Sequence, residues 1–227
     1  MLVFVASERR ELEGLLVHVG EIAKPGWPLD FARLGWLNGA RVAMVANGPG
    51  PKLAGCAVDV VKEHQGMDGL ISVGFCGALQ RALQACDIFV ATEVAGVGPA
   101  LAPASQKPFK TGKLLSIDRV VSTAAEKVEL GRGGADAVEM EAAAVATRAQ
   151  EWKIPFYAIR VVTDTCDETF PLEFNRMRGL DGRFSRVRIL GAALRRPLAV
   201  FPELIKLNRR TKRAARALGD FLADSRF

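Results

Sequence analysis

A unit of apolar run, glycine and helical run recurs along this chain, and it narrows the possible folds more than any other feature. The stretch "RVAMVANGPGPKLAGCAVDVV" (Arg41–Val61) shows it best: an apolar run stops at Gly48, and Pro51 stands where a helix tolerates a missing N–H. "LVFVA" (Leu2–Ala6) likewise precedes a helical stripe of Leu12, Leu15, Leu16 and Val19. "GLISVG" ends at Gly74, "DIFVATEVA" follows, and "IPFYAIRVVTD" closes on Asp164. Apolar runs of strand length separated by helical runs predict an α/β chain with a largely parallel, helix-covered sheet. In such sheets ligands gather at the carboxyl ends of the strands. The Pro/Gly-rich segment "VGPALAPASQKPFKTGK" (97–113) reads as a surface loop, and the last stretch, with Leu204, Leu207, Ala214, Leu218 and Phe221 at helical spacing, as an amphipathic helix.

With 227 residues, 49% of them hydrophobic, the chain supports one sizeable core, so a single domain over 1–227 is expected, with a basic extension from about residue 173. That extension holds 14 Lys/Arg against 5 Asp/Glu, leaving 17 against 20 in residues 1–172, so a tail of +9 follows a body of −3. A basic tail suits nucleic acid, an anionic lipid surface or water. The N-terminus turns charged after a few apolar residues, which reads as neither a secretory signal nor a spanning helix, and a cytoplasmic protein is expected. Cys56, Cys76, Cys86 and Cys166 have no C-x-x-C spacing, and only His18 and His64 could join them as ligands, so no metal is expected.

Chemistry-bearing residues cluster where apolar runs stop: Gly48-Pro49-Gly50, Gly74-Phe75-Cys76-Gly77, Glu139-Met140-Glu141 and Asp164. Each piece alone also reads as ordinary structure. "GPGPK" lacks the dinucleotide fingerprint and the P-loop lysine context, Glu141 reads as a favourable charge in a first helical turn, and Asp164 as a loop residue. Two glutamates at i and i+2 reach one site if "AVEMEAAAV" is a strand giving way to a helix. Cys76 reads as a buried thiol, since neither histidine lies in an evident partner motif.

The order and spacing of these pieces resemble the superfamily of purine nucleoside phosphorylases and 5'-methylthioadenosine/S-adenosylhomocysteine nucleosidases. "VEMEA" followed by a strand ending "VVTDTCDE" is similar to that family's signature, and "VANGPGPKLAGCAVDVV" and "ISVGFCGALQRALQACDIFVATEV" to its two preceding segments, so the likeness covers about residues 1–167. The resemblance implies a three-layer α/β/α fold around a mostly parallel mixed sheet, and cleavage of the bond between a purine and ribose. It places Met140 and Glu141 on the ribose, with Glu139, Gly74, Phe75 and Gly77 around the substrate, and Asp164 where the leaving purine is protonated at N7. The chemistry agrees: charge builds positive on the sugar and negative on the base, so an ionised carboxylate and a protonated carboxyl serve one transition state. No cofactor is implied beyond phosphate as co-substrate, and a homo-oligomer is expected.

The acceptor divides the family. Nucleosidases carry a glutamate in the first loop to activate water, whereas phosphorylases place an arginine there for phosphate. Aligned on "ASERREL", that place falls at Arg10, which with Gly48 and Gly50 would form a phosphate site; a one-residue shift restores Glu11 as a base. Phosphorolysis is the expected reaction, and water-driven cleavage of methylthioadenosine, S-adenosylhomocysteine or futalosine the alternative. Phe75 departs from the small or hydroxyl residue found in many members, and Asp167 and Glu168 read as solvated or structural. The short middle, the first-loop arginine and the basic tail resemble the hopanoid-associated branch, which implies an adenosylhopane-like substrate and peripheral membrane contact through Lys206, Arg209, Arg210, Lys212, Arg213 and Arg216. The competing class is a nucleic-acid-binding module using the tail; the tail carries no recognised motif, so no nucleic-acid partner is expected.

Overall fold

Along β1 (Leu2–Ala6), Val3 and Val5 face one way and Phe4 and Ala6 the other, and all four are buried, so both faces of this strand are covered. The computed structural model describes residues 1–170, 172–179, 181–185, 191 and 197–227, with backbone alone for 197–201. On one face lie α2 (Pro51–His64) and α4 (Ala142–Trp152), which contribute Ala54, Val58, Val61, Val145 and Ala149 to one apolar cluster. On the other lie α1 (Arg9–Leu16) and the C-terminal α5 (Pro197–Asp224), which contribute Leu12, Leu15, Ala214, Leu218 and Phe221 to a second. The expected three layers are therefore present.

The strand order explains where chemistry collects. At the centre, β4 (Ala40–Ala46), β1, β5 (Gly69–Ala78) and β10 (Phe156–Asp164) pair in parallel. From β10 the sheet continues antiparallel to β6 (Ile88–Val94), then parallel to β8 (Lys110–Ser116) and β9 (Ala137–Glu139). β9 returns antiparallel to the far end of β5, so these five strands close a ring. Gly77 of β5 is thereby in register with Asp164 of β10 and with Val138 of β9. A residue at the end of one strand and the "VEMEA" segment, far apart in sequence, meet at one glycine.

The antiparallel margin is β2 (Gly20–Ala23) and β3 (Phe31–Leu37), the latter paired with β4 through a two-residue turn at Asn38-Gly39. Both turn residues have positive φ, 51° and 78°, the hairpin geometry that Asn-Gly favours. The expected loop over 97–113 is corrected at both ends: Gly98–Pro99 pairs with β6, and β8 begins at Lys110. Lysines and glycine there hide a strand that is only partly buried. "GLISVG" likewise continues as strand beyond Gly74 to Ala78.

The C-terminal half of the final helix packs onto the body. Its stripe of Ala214, Leu218, Phe221 and Leu222 is buried against α1 and the sheet. At the crossing, a Cβ on Gly219 would lie 2.0 Å from the Gly14 carbonyl carbon, and one on Gly14 2.1 Å from the Ala215 oxygen, so both backbones approach through glycine. The basic segment preceding the helix is described in part, residues 186–190 and 192–196 lying outside the described set.

Candidate active site

One cavity of about 350 Å³ opens where β5, β9 and β10 meet, and it is lined by Glu11, Phe75, Gly77, Glu139, Met140, Glu141 and Asp164 among others. The strand-end residues singled out in the sequence are thus largely brought together. Its outer wall is apolar, built from Val120, Val121, Phe170, Phe174, Phe184 and Leu207. The segment carrying Phe174 and Phe184 is tied across the site: Asn175 bridges the Val120 N–H and carbonyl, and Arg178 donates to the carbonyls of Pro49, Asp118 and Gly182.

The segment from β9 to α4 explains the spacing of the two glutamates. Glu139 ends the strand and turns back onto the helix, where its carboxylate accepts the N–H groups of Glu141 and Ala142 at 2.9 Å. Its Oε2 also takes Arg160 Nη2 at 2.5 Å, and both side chains are about 1% exposed. Burial works against this charge, but the Arg160 guanidinium and the helix amides outweigh it and hold Glu139 below the usual carboxylate range. Glu139 therefore acts as a helix cap and counter-ion, while Glu141 has one oxygen held by the Gly50 N–H at 2.8 Å. Burial, reinforced by the charges of Glu139 and Glu11, pushes Glu141 up to about 8.

Glu11 is the residue on which the two first-loop alignments differ. It stands in the first turn of α1 and is 5% exposed, its Oε2 accepting the Ser7 N–H and hydroxyl and the Glu8 N–H, and its Oε1 the Phe75 N–H at 2.8 Å. Gly74 permits this: at φ 154°, its hydrogen faces the carboxyl, and a Cβ there would sit 2.5 Å from Oε1. Burial raises the Glu11 pKa, against those hydrogen bonds. Arg10, its neighbour, is exposed and lies on the wall between this cavity and an adjoining cleft containing Arg9, Gly48 and Arg183. The amides offered to phosphate in the sequence reading are already engaged: Gly48 N–H donates to the Ser7 carbonyl and Gly50 N–H to Glu141.

Asp164 closes the other side of the cavity. A Cβ on Gly77 would lie 2.8 Å from its Oδ2, so this carboxyl rests flat on glycine. Thr163 Oγ1 lies 2.8 Å from Oδ1, and burial raises the pKa against the pull of Lys127. Asp167 is exposed, and Glu168 pairs with Arg210 of α5 at 2.8 Å, as expected for structural charges. Cys76 is buried with its thiol pushed up by desolvation, which suits an inert side chain.

Two members of this network were not singled out from sequence. Arg160 lies fully buried in β10, donating also to Ser72 Oγ at 2.7 Å, while its Nε–H has no protein partner. A charged residue inside "FYAIRVVTD" was the available signal, because an arginine in a doubly covered strand requires a buried anion. Lys127 carried no such signal, since "AAEKVEL" reads as a solvated helix.

The sequence model of the phosphorylase superfamily matches residues 3–104 and 98–179, more than half of the chain. The chain belongs to that superfamily. Its fold is shared by the 5'-methylthioadenosine/S-adenosylhomocysteine nucleosidase of Neisseria meningitidis, solved with methylthio-immucillin-A, at 21% identity and a TM-score of 0.72 over 98% of this chain and 96% of that one. The corresponding nucleosidase of Campylobacter jejuni has a TM-score of 0.71 at 15% identity over 98% and 96%. The futalosine hydrolase of Helicobacter pylori has 0.67 at 16% over 97% and 94%. The fold shared with these structures spans nearly the whole chain.

Proposed function

We propose that this superfamily member cleaves the N-glycosidic bond of a purine nucleoside bearing an apolar substituent at C5', with water as acceptor. The observation that carries the reading is the buried Glu11 carboxyl, held by amides and a hydroxyl in the same cavity as Glu141 and Asp164. In this reading Glu141 accepts hydrogen bonds from the ribose hydroxyls and Met140 floors the sugar. Asp164, whose pKa burial raises, gives a proton to N7, and Glu11 takes a proton from the attacking water.

Charge favours water over phosphate. Glu11 takes the Phe75 amide that would otherwise be open to an anion, and the Gly48 and Gly50 amides are occupied. The apolar wall of Phe170, Phe174, Phe184 and Leu207 supports a hydrophobic 5' group, of which an alkylthio chain and a hopane body are the short and long extremes. Membrane contact, where the body is long, rests on the exposed cations Lys206, Arg209, Lys212, Arg213 and Arg216, because the stripe of Ala214, Leu218, Phe221 and Leu222 is buried.

Phosphorolysis is the second reading, favoured by the adjoining cleft of about 420 Å³ that brings Arg9, Arg10 and Arg183 together. Incubation with 5'-methylthioadenosine in H2-18O, with and without phosphate, decides between them. Hydrolysis predicts adenine release without phosphate and one heavy oxygen on the sugar. Phosphate-dependent release of a ribose 1-phosphate derivative would replace it with the Arg10 reading.

A further inference from the structure

Lys127 lies in the first turn of α3 (Ala124–Arg132), and its side chain is 0% exposed. Its ammonium reaches three acceptors: Asp164 Oδ2 at 2.6 Å, the Thr165 carbonyl at 2.9 Å and the Glu168 carbonyl at 3.0 Å. An ammonium has three N–H groups, so all are used. The Phe170 ring lies 5.2 Å from Nζ on a further side. A buried ammonium is held by acceptors for each N–H and by an acidic group beside it. The surrounding charges identify which: Glu168, on the turn after β10, is answered by Arg210 of α5, and Asp167 is exposed and bonded to Thr165 Oγ1. Asp164 is left as the partner of Lys127.

We propose that Lys127 is the positioning residue for proton delivery, a fixed cation that orients the Asp164 carboxyl and stabilises the carboxylate it becomes when its proton passes to the purine. This role rests on the functional reading above. The C1'–N9 bond breaks with its electron pair moving into the purine, and the Asp164 proton goes to N7. The water oxygen bonds to C1' and gives its proton to Glu11. That proton returns to Asp164 through solvent as products leave, and Lys127 stays an ammonium throughout. Without the cation the carboxylate loses its counter-charge, so Asp164 becomes a weaker acid.

The alternative is that Lys127 only pins the carbonyls of the 165–168 turn. Two substrates separate the roles: 5'-methylthioadenosine, whose leaving group needs a proton, and a 5'-methylthio 4-nitrophenyl riboside, whose leaving group does not. For Lys127→Met, kcat on the purine substrate should fall roughly 10²-fold, the scale of general acid catalysis, and its alkaline limb should move to higher pH. KM and turnover of the nitrophenyl riboside should change by no more than a few fold. Lys127→Arg, which keeps the charge, should recover much of the purine rate. Parallel losses on both substrates, or an unchanged purine rate, would overturn the role. If Lys127→Met does not fold, 15N NMR of the wild-type lysine ammonium tests the same point, since the role requires Lys127 to stay charged across the active pH range and a neutral amine there refutes it. A wild-type chain that cleaves the nitrophenyl riboside but no purine nucleoside counts against Lys127 and Asp164 alone. One that cleaves neither removes the functional reading as well.

Discussion

Glu11 and Arg10 are adjacent in sequence and opposite in setting: one is buried under four donors, the other is exposed on the cavity wall. Helical geometry produces the contrast, because successive residues point about 100° apart and only one can turn inward from the first turn of α1. If Glu11 activates water, Glu11→Gln keeps the side chain's size but loses the base and turns one accepting oxygen into a donor, and kcat should fall by roughly 10²- to 10⁴-fold with little change in KM. Arg10→Ala should leave phosphate-free turnover within a few fold. Steady-state kinetics on 5'-methylthioadenosine check both, and the reverse pattern would hand the site to phosphate. Sequence alone left this pair ambiguous because a one-residue shift in a short loop exchanges their roles. The strand-end residues were easier to read, since Gly74 and Gly77 mark places where Glu11 and Asp164 press against backbone.

Helix α5 reaches the site by crossing α1, and the crossing depends on two glycines facing each other. A Cβ on Gly219 would stand 2.0 Å from Gly14 backbone, which no rotamer change can relieve, so the helices must separate. Gly219→Ala should therefore cost about 1–3 kcal/mol despite the better helix propensity of alanine. In a chain of this size that corresponds to a fall of roughly 2–10 °C in Tm, checked by calorimetry. Because α5 also places Leu207 and Thr211 in the cavity wall and Arg210 on Glu168, the variant should show a raised KM before it loses kcat. An unchanged Tm would mean that the crossing is looser than its geometry shows. The helix itself was legible from its apolar spacing. Its partner was not, since a basic amphipathic helix has the same pattern whether it faces a sheet or a lipid surface.

At the scale of the molecule, the strand-glycine-helix rhythm gave the layers and the central parallel strands, because burial on both faces is written as continuous apolar runs. It could not give the ring closure, which depends on β5 pairing with both β9 and β10, nor β8, whose exposed residues carry little pattern. Closure concentrates charge: Glu11, Glu139 and Glu141 all interact with Arg160 at the centre of the fold. Glu141, raised from 4.5 to about 8, binds its proton more tightly folded than unfolded, and burial raises Glu11 and Asp164 in the same direction. Stabilisation from those protons is complete below the unfolded values and is lost as pH rises through the folded ones. Glu139, lowered, contributes the opposite way and matters only as pH falls below its unfolded value of 4.5. Urea denaturation of the unliganded protein should therefore show stability declining from about pH 5 toward pH 8, with a flatter profile for Glu141→Gln. Arg160→Met sharpens the test, because it leaves the carboxyls without their shared cation. It should cost about 3–5 kcal/mol at pH 7.5 and distinctly less at pH 5, because carboxyls that must stay protonated without the cation cost less as the pH nears their unfolded values. An equal loss at both pH values would show that Arg160 is held there for packing, and that the three carboxyls do not depend on it for their charge.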